Sequence, residues 1–556
     1  MQRLELTWIG KGQEPEVEPR ILLHDPSKDY GDPKSENMLI HGDNLLALKA
    51  LEQQYAGQVK CIYIDPPYNT GEAFEHYDDN LEHSIWLGLM YSRLRILRNL
   101  LADDGFFCCQ IDDSEGHYLK VLLDEVFGRA GYYQTTIYVR VRYPEKTLKQ
   151  DMSFHKEIEQ VHVYRKSSLA KPILNKVDAG YEKFKYKIEI TGSPLKTLQL
   201  GGKKIEVYKK GDYKIVEEEG SEYGLKEIWA SGTILDGNSS GRFFRDYLTG
   251  RYADDGYGVI YKVWGIGDDR YEYRFFTGPN REGATKGKYY QGVPLAKLES
   301  REMTREVPIN GFLDLAAYFG NCRQEGGAEF RGGKKPEILI KTLLSHFTNE
   351  GDLVLDSFLG SGTTAAVAHK MGRRYIGIEL GNHCYSLCKP RLDRVIDGEH
   401  TGISNDVNWQ GGGGYKFYEL APTLIVKDEH GNAVFSDKYN AQMLVAAVAK
   451  VNGYFYAPDP EIFWKQGYSQ DNSFIYVTTQ YLTAAMLDSL AKEVDAFESL
   501  LICAPAFDVG LNKRYDNITV KKIPQSVLDK CEYGVDNYNL NIIDVPECDE
   551  EEWEND

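Results

Sequence analysis

The 556-residue sequence contains no apolar run approaching the ~18 residues of a membrane-spanning helix, which excludes such a span. Its first residues, MQRLELTWIGKGQEPEVEPR, lack the short basic region and roughly 7–15-residue apolar stretch of a secretory signal, so the chain reads as soluble and cytoplasmic. Nine cysteines are present, but none forms Cys-x-x-Cys. Their odd number and scatter argue for a reducing compartment, against a disulfide framework and against a zinc site. The nearest pair, Cys384 and Cys388, falls on an expected helix and reads as core, so no metal is expected. Nothing matches G-x-x-x-x-G-K-[ST], which excludes a nucleoside-triphosphate loop of that type. No internal repeat occurs at any fixed period.

Positive charge is also in deficit, with 65 Lys+Arg against 84 Asp+Glu and a net charge of −19. Taken over the whole chain, that balance argues against a nucleic-acid partner. Its distribution changes the inference. Residues 411–556 hold 11 basic and 24 acidic side chains, a balance of −13, whereas 151–330 hold 28 and 27. The stretch 547–556 reads as a solvated acidic tail, or alternatively as a decoy for a basic partner. The other segments therefore remain free to meet DNA.

A chain of this length makes about three or four domains. From 38 to 157 short apolar runs alternate with helical spacing: strands at 38–40, 59–64, 106–111 and 136–141, helices at 45–55, 86–101 and 119–127. The pattern predicts a doubly wound α/β sheet with 59–64 buried on both faces. From about 165 to 325 it dissolves into Tyr-, Gly-, Lys- and Asp-rich sequence with alternating runs such as 185–190 and 259–264, a β-rich insert. The α/β pattern resumes with a helix at 336–347, a strand at 353–355, a helix at 363–371 and a strand at 375–378. Gly411–Gly414 is a hinge or a packed turn, and 415–546 form a small α/β domain with helices at 441–451 and 482–492. The expected domains are thus 1–164 and 329–410, two halves of one α/β domain, with 165–328 inserted between them, then 411–546 and the tail 547–556.

Two constellations carry chemistry. Asp65-Pro66-Pro67-Tyr68-Asn69-Thr70-Gly71 follows the buried strand 59–64, and strand C-termini are where open α/β sheets bind ligands. The prolines stiffen the turn and leave carbonyls free to accept. An acid beside such a carbonyl suits an amino group with two protons to donate, and Tyr68 offers a flat face, which together point to a nucleobase. Taken alone, the element is equally a proline-rich turn with a buried Tyr. Asp356-Ser357-Phe358-Leu359-Gly360-Ser361-Gly362-Thr363-Thr364 follows the strand 353–355 and opens a helix. Its glycines permit close backbone approach, and the helix N-terminus presents unpaired N–H groups. Glu379 ends the next strand, where a carboxylate can bind ribose hydroxyls. That order favours an adenosine-type cofactor.

These residues resemble the β-group DNA amino-methyltransferases that use S-adenosylmethionine, in which the D-P-P-Y element precedes the F-x-G-x-G element and a target-recognition domain lies between them. More narrowly, IHGDNLLAL (40–48), KCIYIDPPYNTG (60–71), LADDGFFCCQIDDSE (101–115), KKPEILIKTLL (334–344), VLDSFLGSGTT (354–364) and WQGGGGYKFYEL (409–420) are similar to modification subunits of type III restriction–modification systems. Ser357 departs from the Pro common there and leaves the glycines untouched. The resemblance implies a Rossmann-like methyltransferase domain with permuted motif order. Asp65, Pro66, Pro67 and Tyr68 would act on the flipped target base. Asp43, Lys335, Pro336, Asp356, Phe358, Gly360, Ser361, Gly362, Thr363 and Glu379 would bind S-adenosyl-L-methionine. Asp43 is alternatively a helix N-cap for 45–55, and Lys335 equally a solvated lysine, as Lys334 is read to be.

Asp at 65 points to adenine N6 as the accepting amine, with cytosine N4 as the alternative, and the absence of a Pro-Cys nucleophile argues against a cytosine ring carbon. Sequence specificity is expected from the insert. Its Arg242, Arg245, Arg251, Arg270, Arg274, Arg281, Lys286 and Lys288 are candidates for contact with double-stranded DNA. Phe243, Phe244, Tyr247, Tyr271, Tyr273, Tyr289 and Tyr290 between them are candidates for stacking or for the insert's core. The family further implies a homodimer and a helicase–nuclease restriction subunit in another chain. Open alternatives are a lone methyltransferase, a subunit that chiefly reads DNA for a nuclease, and methylation of RNA or protein amines.

Overall fold

The computed structural model describes residues 5–12, 17–18, 20–69, 83–144, 154–178, 180–230, 239–284, 286–300, 304–327, 329, 333–427, 430, 432–469 and 472–523. Thr70, Gly71 and the acidic tail 547–556 lie outside them. The chain divides into two compact units, 1–173 with 310–556 and, between them in sequence, 174–309.

The larger unit is built on an eleven-stranded sheet: β1 (Leu22–His24), β2 (Tyr30–Gly31), β3 (Met38–His41), β4 (Val59–Ile64), β5 (Leu101–Ile111), β6 (Tyr133–Arg140), β7 (Ile158–Arg165), β8 (Phe312–Asp314), β9 (Leu353–Asp356), β10 (Arg374–Glu379) and β11 (Gly414–Leu420). Their order is β1-β11-β3-β10-β9-β4-β5-β7-β6-β8, with β2 pairing β11. From β11 to β5 all neighbours run parallel. Continuous apolar runs explain this centre, because helices cover both faces and every residue of β9 is buried. The covering helices are α1 (Asn44–Tyr55), α2 (His83–Leu100), α3 (Gly116–Phe127), α4 (Glu337–Phe347), α5 (Thr363–Lys370) and α6 (Lys389–Ile396). Trp86, Met90, Leu94 and Leu97 recur at helical spacing on α2 and pack into one cluster with Leu45, Leu48, Ile62, Ile64 and Leu355.

Three features differ from the sequence reading. The doubly wound sheet is mixed, because β7 runs antiparallel to both β5 and β6. Asp103-Asp104-Gly105, between the expected helix 86–101 and the expected strand 106–111, lies inside β5. The register jumps there, with Val59 opposite Leu101 but Cys61 opposite Phe106, so these residues bulge outward. Residues 414–420, assigned to the C-terminal domain, form β11 inside the main sheet, antiparallel to β1 and parallel to β3. The glycines before it are packed: Gly412 N–H donates to Ile396 O at 2.7 Å, and Gly413 O accepts from Asp32 N–H at 2.9 Å.

Beyond β11 a five-stranded sheet runs in sequence order, 455–456, 467–468, 473–477, 499–504 and 518–522, with helices Ala441–Val451 and Ala484–Leu490. The smaller unit carries a six-stranded antiparallel sheet and a separate ribbon of Tyr186–Ile190 with Tyr213–Glu217, in keeping with its alternating runs. Phe243, Phe244, Tyr261, Phe276 and Tyr289 fill its core. Among the described residues no helix is long and apolar enough to cross a membrane, and no cluster of His, Cys, Asp and Glu is arranged to hold a metal. Cys384 and Cys388 are buried, and Cys388 Sγ donates to Gly360 O at 2.8 Å.

Candidate active site

Neighbouring parallel strands deliver their C-termini to one edge of the sheet. β3 leads to Asp43, β10 ends at Glu379, β9 at Asp356 and β4 leads to Asp65, in that spatial order. The registers Glu379 opposite His41, Asp356 opposite Gly377 and Leu355 opposite Ile62 fix the alignment. The two constellations, some 290 residues apart in the chain, therefore leave adjacent strands. Because β7 is antiparallel to β5, with Gln160 opposite Ile111, its first residues return to the same edge and bring Glu159 with them.

Tyr68 Oη lies 2.7 Å from Asp65 Oδ1 and 2.9 Å from Glu159 Oε2. Lys335 Nζ is 2.7 Å from Asp65 Oδ2 and 3.8 Å from Glu159 Oε2, and 5.0 Å from the centre of the Tyr68 ring. Gln110 Nε2 donates to Glu159 Oε2 at 2.5 Å, while its Oε1 accepts from Tyr63 at the same distance. Trp86 Nε1 donates to Pro67 O at 2.8 Å and pins the proline turn to α2. Asn69 takes a left-handed φ of 58° and reaches Glu115 Oε1 at 2.8 Å. Burial pushes the Asp65 carboxyl up from its ordinary value; the Lys335 ammonium opposes the rise and the Glu159 charge adds to it. Burial works against the Lys335 ammonium, yet Asp65 and Glu159 hold its pKa above that of an ordinary lysine.

In the glycine loop, Asp356 Oδ1 accepts from Phe358 N–H at 2.9 Å and Oδ2 from the Thr364 hydroxyl at 2.6 Å. Burial raises this carboxyl to about 7. Gly360 and Gly362 have φ of 55° and 78°, which L side chains rarely adopt. Among the described residues only Phe358 O, at 4.0 Å, approaches the position a Cβ on Gly360 would occupy, so they leave the backbone there open to close approach. Glu379 Oε2 accepts from Gly360 N–H at 2.7 Å and Oε1 from Gly381 N–H at 3.0 Å. Behind the loop, Arg391 Nη1 donates to Ser361 O at 3.0 Å and Thr363 Oγ1 at 2.7 Å. Arg391 pairs in turn with Glu337 at 2.8 Å, and Glu337 with Lys370 at 2.7 Å, all three side chains fully buried.

Asp43 caps α1, accepting from Leu46 N–H at 3.0 Å, and lies 3.4 Å from Arg93. Pro336 is the residue before α4. Neither Lys335 nor Lys334 is solvated. Lys334 is 6% exposed, donates to Glu325 O at 2.7 Å and Arg323 O at 3.1 Å, and is pushed down to about 8 by burial. Glu159, Gln110, Glu337 and Arg391 escaped the sequence reading. For Glu159 one signal exists: it shares the phase of Val161 and Val163 on the inward face of β7, an odd place for an acid unless it is used.

In the smaller unit, Arg242, Arg281 and Lys286 are exposed. Arg245 pairs with Asp246 and Arg251 with Asp255, each at 2.7 Å. Lys288 pairs with Glu227 at 2.7 Å, and Arg270 lies 3.5 Å from Glu222. Arg274 corrects the expectation of DNA contact: it is 3% exposed, 2.8 Å from Asp269 and 2.5 Å from Ser240, and serves the unit's interior. Phe243, Phe244, Tyr289 and Tyr290 are core residues, Tyr271 and Tyr273 are half-buried, and Tyr247 is exposed.

The chain is 35% identical over 416 residues to the "Probable type III restriction-modification enzyme HindVI Mod subunit" of Haemophilus influenzae, covering 70% of this chain and 54% of that one. Similarity to the StyLTI Mod subunit of Salmonella typhimurium is 26%, over 63% of this chain and 51% of the relative, and to the EcoPI Mod subunit of Escherichia phage P1 27%, over 66% and 60%. The chain spans about half the length of the first two of these curated relatives. A family model described as DNA methylase matches residues 59–389, which takes in both constellations and more than half of the sequence, and the chain belongs to that family.

Proposed function

We propose that the chain transfers a methyl group from S-adenosyl-L-methionine to the N6 amine of adenine in duplex DNA, as the modification and DNA-reading subunit of a type III-like restriction–modification system. The observation that carries this reading is the delivery of Asp65–Tyr68 and the glycine loop to the same sheet edge by adjacent parallel strands. The names of the relatives support the assignment to such a system.

The residues fit the cofactor. Gly360 leaves its backbone open to close approach, and the acids Asp43, Asp356 and Glu379 stand at neighbouring strand ends. Phe358, Gly360, Ser361, Gly362 and Thr363 would line its site, Lys335 and Pro336 would close over the methionine moiety, and Asp43 would approach the adenine. A ribose hydroxyl on Glu379 would share an oxygen with Gly360 N–H or Gly381 N–H. S-adenosylmethionine, when bound, supplies an already activated methyl group, which leaves positioning and electrostatics to the protein.

An aromatic exocyclic amine is a poor nucleophile while its lone pair is delocalised. Asp65 and the Pro66 carbonyl, accepting one N–H each, draw the nitrogen towards tetrahedral geometry, and Asp65 is the nearest base for the proton the amine releases. The target base must leave the duplex to reach this edge, and the Tyr68 ring stacks on it to offset lost stacking. The insert 174–309 reads the surrounding sequence, with Arg242, Arg281 and Lys286 among its DNA contacts. The chain acts as a homodimer with a helicase–nuclease restriction subunit.

Purified protein, tritiated S-adenosylmethionine and whole-genome-amplified DNA of the source organism, followed by nucleoside digestion, test the reading. N6-methyladenine is the expected product; exclusive N4-methylcytosine would overturn the choice of base. Asp65→Ala is expected to slow transfer at least ~100-fold while S-adenosylmethionine still binds.

A further inference from the structure

The Asp65 carboxylate is not idle in this structure. It is held by Lys335 Nζ at 2.7 Å and faces the Tyr68 hydroxyl at 2.7 Å. A target amine that donates to Asp65 must compete with both. The Tyr68 hydroxyl carries a single proton, yet it stands within hydrogen-bond distance of two carboxylates, Asp65 and Glu159. Lys335 shows the same duality, with Glu159 Oε2 only 3.8 Å away, so a swing of about an ångström exchanges one carboxylate for the other. Glu159 is itself fixed. Gln110 donates to it, Tyr63 orients Gln110, and β5 and β7 hold both through the register Gln110 opposite Val161.

Resting on the methyl-transfer reading above, we infer that Glu159 is a positioning residue. It takes Lys335 and the Tyr68 proton from Asp65 as the target amine arrives, freeing Asp65 to accept from the base. The ammonium stays paired throughout, and the Asp65 carboxylate it leaves is met by the N–H the amine donates. No sequence motif or family assignment given above assigns Glu159 a role. A neutral side chain at 159 would keep the hydrogen-bonding shape but lose the pull on Lys335.

Single-turnover methylation of whole-genome-amplified DNA with tritiated S-adenosylmethionine tests this on the full chain, with cofactor binding and thermal unfolding measured beside it. Glu159→Gln is expected to lower the methylation rate at least tenfold at unchanged cofactor affinity. The groups facing Asp65 are Lys335, Glu159 and Tyr68, with Tyr63, Cys109 and Asp356 behind them. Removing the Glu159 charge lowers the Asp65 carboxyl, so the acid limb of the rate profile moves to lower pH even as the plateau falls. Lys335→Met should cost less in the Glu159→Gln background than alone, because the part of its cost that comes from the exchange with Glu159 is already lost there. A wild-type rate in Glu159→Gln, or additive costs with an unmoved limb, would overturn the inference. If the Gln variant does not fold, Glu159→Asp decides: it keeps the charge, so the limb should stay in place with less than a tenfold loss, and a larger loss or a moved limb counts against the role. Failure of the unaltered protein to methylate DNA would instead remove the methyl-transfer reading itself, and this inference with it.

Discussion

Asp356 illustrates what a single side chain gives up to hold the glycine loop. Its two oxygens organise Phe358 N–H and the Thr364 hydroxyl, but its burial lifts the carboxyl to about 7. An acid whose pKa is raised by folding favours the native state below its unfolded value and loses that advantage as pH climbs through the folded value. Asp356→Asn keeps an acceptor for Phe358 N–H and removes the charge. Relative to the unaltered protein it should gain stability between pH 5 and 8.5, by ~3 kcal/mol at most, because only the stretch from pH 5 to about 7 contributes within that range. Urea denaturation of both proteins at the two pH values checks this; a difference that does not grow with pH would contradict it.

Among the elements, β10 supports the loop through one small residue. A Cβ on Gly377 would stand 2.7 Å from Leu359 Cδ2, and Leu359 N–H is bonded to Ile378 O at 3.1 Å. Gly377→Ala therefore forces the buried Leu359 side chain to shift, next to Gly360 in the loop. Overpacking of this kind costs ~1–3 kcal/mol, so S-adenosylmethionine affinity should fall about tenfold by calorimetry, and an unchanged Kd would show that the loop adapts. The elements that carry the loops were largely legible in sequence, because apolar runs such as 59–64 and 353–355 admit few alternatives once buried on both faces. β7 is hidden in the sequence because Glu159 puts an acid in the phase of Val161 and Val163, which the site explains only once the strand is folded beside β5. Asp65, Tyr68, the glycine loop and Glu379 are legible in sequence as candidates because motif and strand end coincide. Glu159 and Arg391 are not, because they reach the candidate site through contacts across 91 and 30 residues of chain. The solvated reading of Lys334 failed for a related reason: two backbone carbonyls compensate a buried ammonium, and no spacing announces that.

For the molecule as a whole, the net charge of −19 coexists with a proposed DNA-reading unit that is nearly neutral, so attraction to phosphate depends on a few uncommitted cations. DNA affinity should fall with salt, and the Arg281→Ala/Lys286→Ala double variant should flatten the log–log slope by up to ~2 units in filter binding. Arg274→Ala should leave the slope alone and lower the unit's unfolding temperature, since it breaks a buried pair. β11 has one further consequence. Because residues 414–420 occupy a place between β1 and β3, the sheet cannot close while the ribosome is still translating the sequence before them. The N-terminal half emerges with β3 exposed as an edge strand, a surface prone to pairing with other chains until some 370 later residues have been made. Completion of the sheet that carries the candidate site is thus a late event of synthesis, and nascent chains stalled before residue 414 should depend on chaperones where longer ones do not.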